Sequence, residues 1–194
     1  MMRHYLDMKE KYKGCILFYR LGDFYEMFFE DAEKVSKLLD LTLTGKDCGL
    51  EERAPMCGIP YHAADVYISK LVALGEKVAI CEQLSDPKES KGLVERDVVR
   101  VVSAGTLIDD AMLDETKNNY IACLFKSGES IAAAWTDITT GEFSVAEFSG
   151  VSALEDTITQ IVKLSVAEVI CNEEMLLASK DVKEIRHKIG RAHV

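Results

Sequence analysis

Residues 15–29 read CILFYRLGDFYEMFF, and the parsing of this stretch decides the fold. A continuous apolar run, CILFYR at 15–20, ends in a charge and reads as a buried strand. Leu21-Gly22-Asp23 is a turn, because glycine takes backbone conformations that other residues avoid. Residues 24–28 then continue either as an extended segment or as the opening of a helix. Glu26 is the anomaly, a carboxylate inside the most aromatic part of the chain. Either an alternating strand leaves it on a wet face, or Phe24 and Glu26 act together on a ligand. A core strand does not explain a Gly-Asp turn directly before Phe24, since such a turn lifts the next residues to a tip or an edge. Alternation sends Tyr25 inward, opposite to its two neighbours. Most of the aromatic set Phe18, Tyr19, Phe24, Tyr25, Phe28 and Phe29 reads as core.

Working outward, apolar positions at Met2, Tyr5, Met8 and Tyr12 predict a helix over 2–13. FEDAEKVSKLL at 29–39 predicts a second, with Ala32, Val35, Leu38 and Leu39 inward. LDLTLT at 39–44 alternates with period two and predicts a strand. A charged loop spans 45–53, and APMCGIPYH at 54–62 is a stiff, partly extended segment with Pro55 and Pro60. A helix over 63–74, a strand at 76–84, a polar loop at 85–92 and a strand-like run at 93–102 follow. Residues 107–119 are acidic and poor in aromatics, and read as a linker. Beyond it, YIACLF, IAAAWTDI and EFSVAEF form a three-stranded meander with Gly-containing turns, followed by a helix at 152–163 and a strand at 167–171. That order resembles the opening of a ribonuclease-H-like domain. The prediction is an α/β chain of two units, without internal repeats.

Composition sets limits. The 194 residues are 48% hydrophobic, enough for a core, and carry a net charge of −10. No apolar run reaches the roughly 18 residues of a membrane span, and the charged N-terminus is no secretory signal. The six cysteines are scattered without C-x-x-C or zinc-ligand spacing, and read as reduced core thiols. Overall acidity argues against nucleic acid, but the charge is uneven. Residues 1–106 hold 15 Lys and Arg against 18 Asp and Glu, and residues 107–194 hold 8 against 15. The first 20 residues alone are net +3. A local basic strip with weak nonspecific DNA affinity remains compatible with these figures.

The search for catalytic chemistry is largely negative. There is no phosphate-binding glycine loop and no G-x-S-x-G, and the four histidines are dispersed. His62 reads as a helix-start or packing residue and Trp135 as core. Asp137 sits where a ribonuclease-H-like nuclease would carry its first metal carboxylate. Two-metal cleavage needs several acids converging on ions about 4 Å apart. Glu142 and Glu147 are the neighbouring candidates, and an exposed strand acid is the plainer reading of Asp137.

Taken together, ILFYRLGDFYEMFFEDA, LLDLTLT, PMCGIPYHA, KLVALGEKVAICEQLSDP and KGLVERDVVRVVSAGT resemble the N-terminal region of the bacterial MutS family of DNA mismatch-recognition proteins. The resemblance runs from about residue 2 to about residue 180, its five blocks in order. It implies an α+β mixed-sheet mismatch-recognition domain at 1–106, a linker at 107–117, and at 118–194 the first part of a ribonuclease-H-like α/β connector. In this family the F-x-E element, here Phe24-Tyr25-Glu26, reads the mismatch: Phe24 wedges in from the minor groove and stacks on the mispaired base, and Glu26 hydrogen-bonds it. An ionised Glu26 only accepts and penalises intact duplex, whereas a protonated one donates to a ring nitrogen. Leu21 would rest in the minor groove, where relatives often have methionine, and Lys46 would face phosphate. Arg96 and Arg100 are either further backbone contacts or salt-bridged strand residues.

The resemblance also implies what lies elsewhere. The family's lever, clamp and ATPase segments, with ATP and Mg, are not in this sequence, so the chain reads as an N-terminal fragment without ATPase activity or cofactor. Expected partners are duplex DNA with mismatches or small loops, and a downstream repair protein reached through the connector. Homodimerisation belongs to the full-length form, and the setting is the bacterial cytoplasm at the nucleoid. The final GRAHV lies outside the family pattern, in the manner of an expression scar. The rival readings are a protein-interaction module without DNA binding of its own and an Asp137 nuclease.

Overall fold

The computed structural model describes residues 1–49, 52–85, 95–108, 113 and 117–180. The described residues fall into two compact units, Met1–Ser103 and the part that begins at Ala104.

In the first unit, helix α1 (Met2–Lys11) leads into strand β1 (Cys15–Leu21), which turns back at once as β2 (Phe24–Phe28). Residues 24–28 are therefore strand, paired antiparallel with β1 through Tyr19–Glu26, Arg20–Tyr25 and Leu21–Phe24. Helix α2 (Phe29–Leu39) follows without a linker, and Phe29 takes φ +52° to make the corner. Then come β3 (Thr44–Lys46), β4 (Ala54–Pro60), a 3-10 turn (Tyr61–Ala63), α3 (Ala64–Ala73), β5 (Lys77–Gln83) and β6 (Arg96–Val102). The sheet order is β3-β4-β2-β1-β5-β6, with β1 and β5 parallel and the other pairs antiparallel.

The sheet is covered on both faces. Tyr5 and Met8 of α1 pack with Leu17, Tyr19, Phe28, Ala79 and Cys81 on one face. On the other, Phe18 meets Tyr25 with ring centroids 5.8 Å apart, and the Cys57 thiol lies 3.6 Å from the Ala32 carbonyl of α2. Behind β2 is a polar knot. Asp31 accepts from Lys9 Nζ (2.7 Å), the Leu17 N–H (2.9 Å) and the Tyr5 hydroxyl (3.3 Å), and that hydroxyl accepts in turn from the Phe28 N–H at 3.1 Å.

Several expectations need correction. LDLTLT is not a strand: α2 runs to Leu39, Asp40 caps it with φ +53°, and only Thr44 joins β3. Its alternating leucines lack a covered face, and Leu43 is exposed. Ala32 and Val35 are buried as expected, but Leu38 is exposed, and Asp31 and Ser36 are buried on α2 beside them, Asp31 being drawn in by the polar knot. His62 is an exposed helix-start residue in the 3-10 turn, its ring edge-on to Tyr61 at 5.8 Å. Most of the polar loop at 85–92, much of the linker at 107–117 and the tail after Lys180 lie outside the described residues.

The second unit has β7 (Tyr120–Ser127), β8 (Ser130–Asp137), β9 (Glu142–Ser149), α4 (Ala153–Lys163), β10 (Glu168–Cys171) and α5 (Glu173–Ala178). The meander is antiparallel, and β10 adds parallel to β7, giving the order β10-β7-β8-β9. Ile131, Ala133, Ile161 and Val169 are buried in its core, with Trp135 half-buried against them. Here Ala104–Thr106 form a 3-10 turn, and the Gly105 N–H donates to Glu168 Oε2 at 3.2 Å.

Candidate nucleic-acid interface

The β1–β2 hairpin turns on two residues. Gly22 sits at φ +59°, whereas Asp23 keeps negative φ, a pattern that calls for glycine at the first loop position. Phe24 is the first residue after the turn and is 47% exposed, while Tyr25 behind it is buried. Cross-strand pairing puts Leu21, Phe24, Tyr19 and Glu26 on one face of the sheet, with Pro60 and Gly58 of β4 opposite Phe24 and Glu26.

The tip is braced from below. The Gly22 N–H donates to Gln83 Oε1 at 3.1 Å, and the Tyr61 N–H donates to the Asp23 carbonyl at 3.0 Å. Arg20 lies 3.8 Å from the centre of the Tyr61 ring, within 3.6 Å of Glu82, and donates to the Gly22 carbonyl. The Tyr25 hydroxyl donates to Glu82. Burial, then the Glu82 carboxylate, push that hydroxyl well above the usual tyrosine range, and Arg20 offsets only part of this. The phenol therefore stays a donor at any ordinary pH.

Glu26 is half-buried and reaches sideways. Opposite it stands Gly58, where an added Cβ would lie 3.6 Å from Glu26 Cγ. With no side chain at that position, the Glu26 chain lies across β4 and forms an ion pair with Lys46 of β3. The Lys46 ammonium is also 5.7 Å from the centre of the Phe28 ring. Lys46 thus sits beside Glu26, where the sequence alone suggested only a phosphate-facing residue.

The two arginines are separated. Between Ile80 and Cys81 the β5–β6 register slips, so Ile80 faces Arg100 and Cys81 faces Val98, leaving Val99 out of the pairing. Without that bulge, positions 96 and 100 would share a face. Instead Arg96 lies on the Tyr19 side, 5.5 Å from that ring, and Arg100 lies on the opposite side. Arg96 donates to the Arg20 carbonyl at 2.9 Å and to Gln83 Oε1 at 3.0 Å, so it holds the hairpin. Leu21 is half-buried directly across from Phe24.

Arg20, Gln83, Glu82, Tyr61 and Gly58 were not legible as site residues. Arg20 left one faint signal, a charge closing an apolar run before a glycine turn. Gln83 left none, since its role depends on β5 lying parallel to β1.

In the second unit Asp137 is buried rather than an exposed strand acid. It accepts from the Thr139 hydroxyl (2.6 Å), the Thr139 N–H (2.9 Å) and the Asn119 N–H (3.0 Å), closing the β8–β9 turn. Burial works to raise its carboxyl, but these bonds outweigh it and hold the group below the usual range. Glu142 accepts from the Tyr120 hydroxyl at 2.7 Å, and Glu147 is exposed on β9. Asp137 and Glu142 are tied to turn and strand partners, and among the described residues no three metal-ligating side chains converge. Among the described residues, too, no helix is long and apolar enough to cross a membrane.

The site is thus an exposed aromatic on a braced β-hairpin, beside a carboxylate, on a mixed α/β scaffold. Comparison with known proteins agrees with the mixed α/β scaffold. Residues 1–111 match the family model described as MutS domain I, and residues 119–194 match MutS domain II. The chain is 56% identical over 174 residues to the DNA mismatch repair protein MutS of Acetivibrio thermocellus, covering 90% of this chain and 20% of that protein. Against its namesake in Ruminiclostridium cellulolyticum it is 53% identical over 190 residues, 98% of this chain and 22% of the relative. The chain belongs to the MutS family. It spans about a fifth of the length of these curated relatives, and the matched segments are domains I and II.

Proposed function

We propose that this chain is the mismatch-reading part of a DNA mismatch repair protein, with Phe24 as the wedge and Glu26 as the discriminating group. The observation that carries the reading is Phe24 itself, a large aromatic 47% exposed at the tip of a hairpin whose neighbours hold it rigidly. Inserting an apolar wedge costs about a few kcal/mol of unstacking per base step, least where pairing is already broken. Such a wedge selects deformability and not sequence. Stacking on a base returns about 1–3 kcal/mol and tolerates every base. Glu26, two residues on and on the same face, repels phosphate-lined duplex and accepts or donates to a displaced base. Leu21 beside Phe24 supplies apolar surface for a minor groove. Lys46 is a basic residue on this face suited to a phosphate. Arg96 supports the hairpin from within, and Arg100 belongs to the opposite side of the sheet.

The family supplies the rest of the proposal. The recognition domain covers 1–106, a linker 107–117 and a connector 118–194, the last passing the signal to a downstream repair protein. ATP and Mg chemistry and homodimerisation belong to the longer protein, which works in the bacterial cytoplasm.

The test is fluorescence anisotropy at low salt with a G·T duplex and its matched G·C control, wild type beside Phe24→Ala. Preference for G·T that the variant loses, with an unchanged melting curve, is the expected result. Equal affinity of the wild type for both duplexes refutes the reading.

A further inference from the structure

The ion pair between Lys46 and Glu26 joins two oppositely charged side chains of this face, with Gly58 of the intervening strand opposite Glu26. Glu26 and Lys46 belong to strands separated by β4, and on that strand Gly58 stands opposite Glu26, where an added Cβ would touch Glu26 Cγ at 3.6 Å. Both groups retain access to water, with side-chain exposures of 33% for Lys46 and 15% for Glu26. A pair in that position is made in the DNA-free protein but remains open to competition from a stronger anion.

Building on the reading above, we propose that Lys46 is a shared cation: it holds Glu26 in the free protein and transfers to a DNA phosphate when duplex docks. Glu26 then restrains binding in two ways, by facing the duplex with a negative charge and by occupying the lysine that would hold a phosphate. Docking on matched DNA leaves Glu26 without its cation and without a base to bond. A displaced base supplies the missing partner. Lys46 is on this view a positioning residue whose effect on selectivity runs through Glu26.

The two restraints separate in a double-mutant cycle on this chain, read by anisotropy with the matched duplex. Glu26→Gln frees Lys46 and raises matched-duplex affinity by about two- to fivefold, the range typical of a water-accessible pair. In the Lys46→Met background the same change produces a clearly smaller gain, the part that direct repulsion alone supplies. Lys46→Met alone lowers the slope of log affinity against log salt by about one, and Lys46→Arg restores both the slope and the gain. A merely structural lysine would not move the salt slope. If Glu26→Gln gains equally with and without Lys46, partner exchange is overturned while the Phe24–Glu26 reading stands, because direct repulsion then explains the gain. If Glu26→Gln weakens matched and mismatched binding alike, or if the wild type binds neither duplex, both are overturned.

Discussion

Asp31→Ala tests the buttress beneath the reading strand. Asp31 is 4% exposed and accepts three hydrogen bonds, from Lys9, the Leu17 N–H and Tyr5. Alanine leaves the Leu17 N–H buried without its acceptor and Lys9 without its counter-charge. Removing one partner of a buried pair costs about 3–5 kcal/mol. Lys9 keeps 28% of its side-chain surface in water and rehydrates in part, so the lower end, about 3 kcal/mol, applies. For a domain of this size each kcal/mol lowers Tm by about 4–8 °C, which predicts a fall of at least about 12 °C in the first unit. Asp31→Asn keeps an acceptor for the Leu17 N–H and loses only the charge, at about 1–2 kcal/mol. The assay is urea and thermal unfolding by far-UV circular dichroism. Trp135, the single tryptophan, lies in β8 and follows the second unit by fluorescence, which is expected to be unaffected. A loss below about 1 kcal/mol for Asp31→Ala would refute the reasoning, because it would mean that the knot rehydrates freely and does not hold β2 against α1.

Thiol reactivity is expected to follow burial. Cys57 and Cys81 are buried and pushed up to about 11 and about 12, chiefly by desolvation, so a disulfide reagent at pH 8 should modify the exposed Cys123 first and reach these two only on unfolding. Early modification of Cys57 would contradict the packing. Asp137, held below the usual carboxylate range, contributes stability that is complete above its unfolded value of about 4 and is lost as pH falls through the lowered one. Asp137→Asn should therefore flatten the acid-side loss of stability reported by Trp135, and an unchanged acid limb would count against the turn bonds. Gly105→Ala would set a Cβ 2.9 Å from Ile121 Cβ and 3.0 Å from Glu168 Cβ, and should lower the urea midpoint of the second unit by about 1–3 kcal/mol equivalent. An unshifted midpoint would show that β7 and β10 yield easily.

Much of this protein was legible locally. The apolar run before Gly22, the alternation of Tyr25 against Phe24 and Glu26, and the glycine turns of the second meander are short-range signals, and each element formed where its pattern indicated. LDLTLT failed because alternation specifies a strand only where a sheet edge and a covered face await it, and that edge is taken up from Thr44 onward. Which faces residues 96 and 100 take was not legible, because a single unpaired residue, Val99, reverses alternation between them, and no local sequence cue marked it.

The sequence by itself determined most of the elements, the glycine that lifts Phe24 to a tip, and the family to which the chain belongs. Only the tertiary structure decided what touches the tip. Gln83 under Gly22, Arg96 on the Arg20 carbonyl and Lys46 on Glu26 are contacts between residues 20 to 76 positions apart. Such contacts arise from strand order and register, which depend on the summed packing of the whole sheet, and so they leave no trace in any one segment.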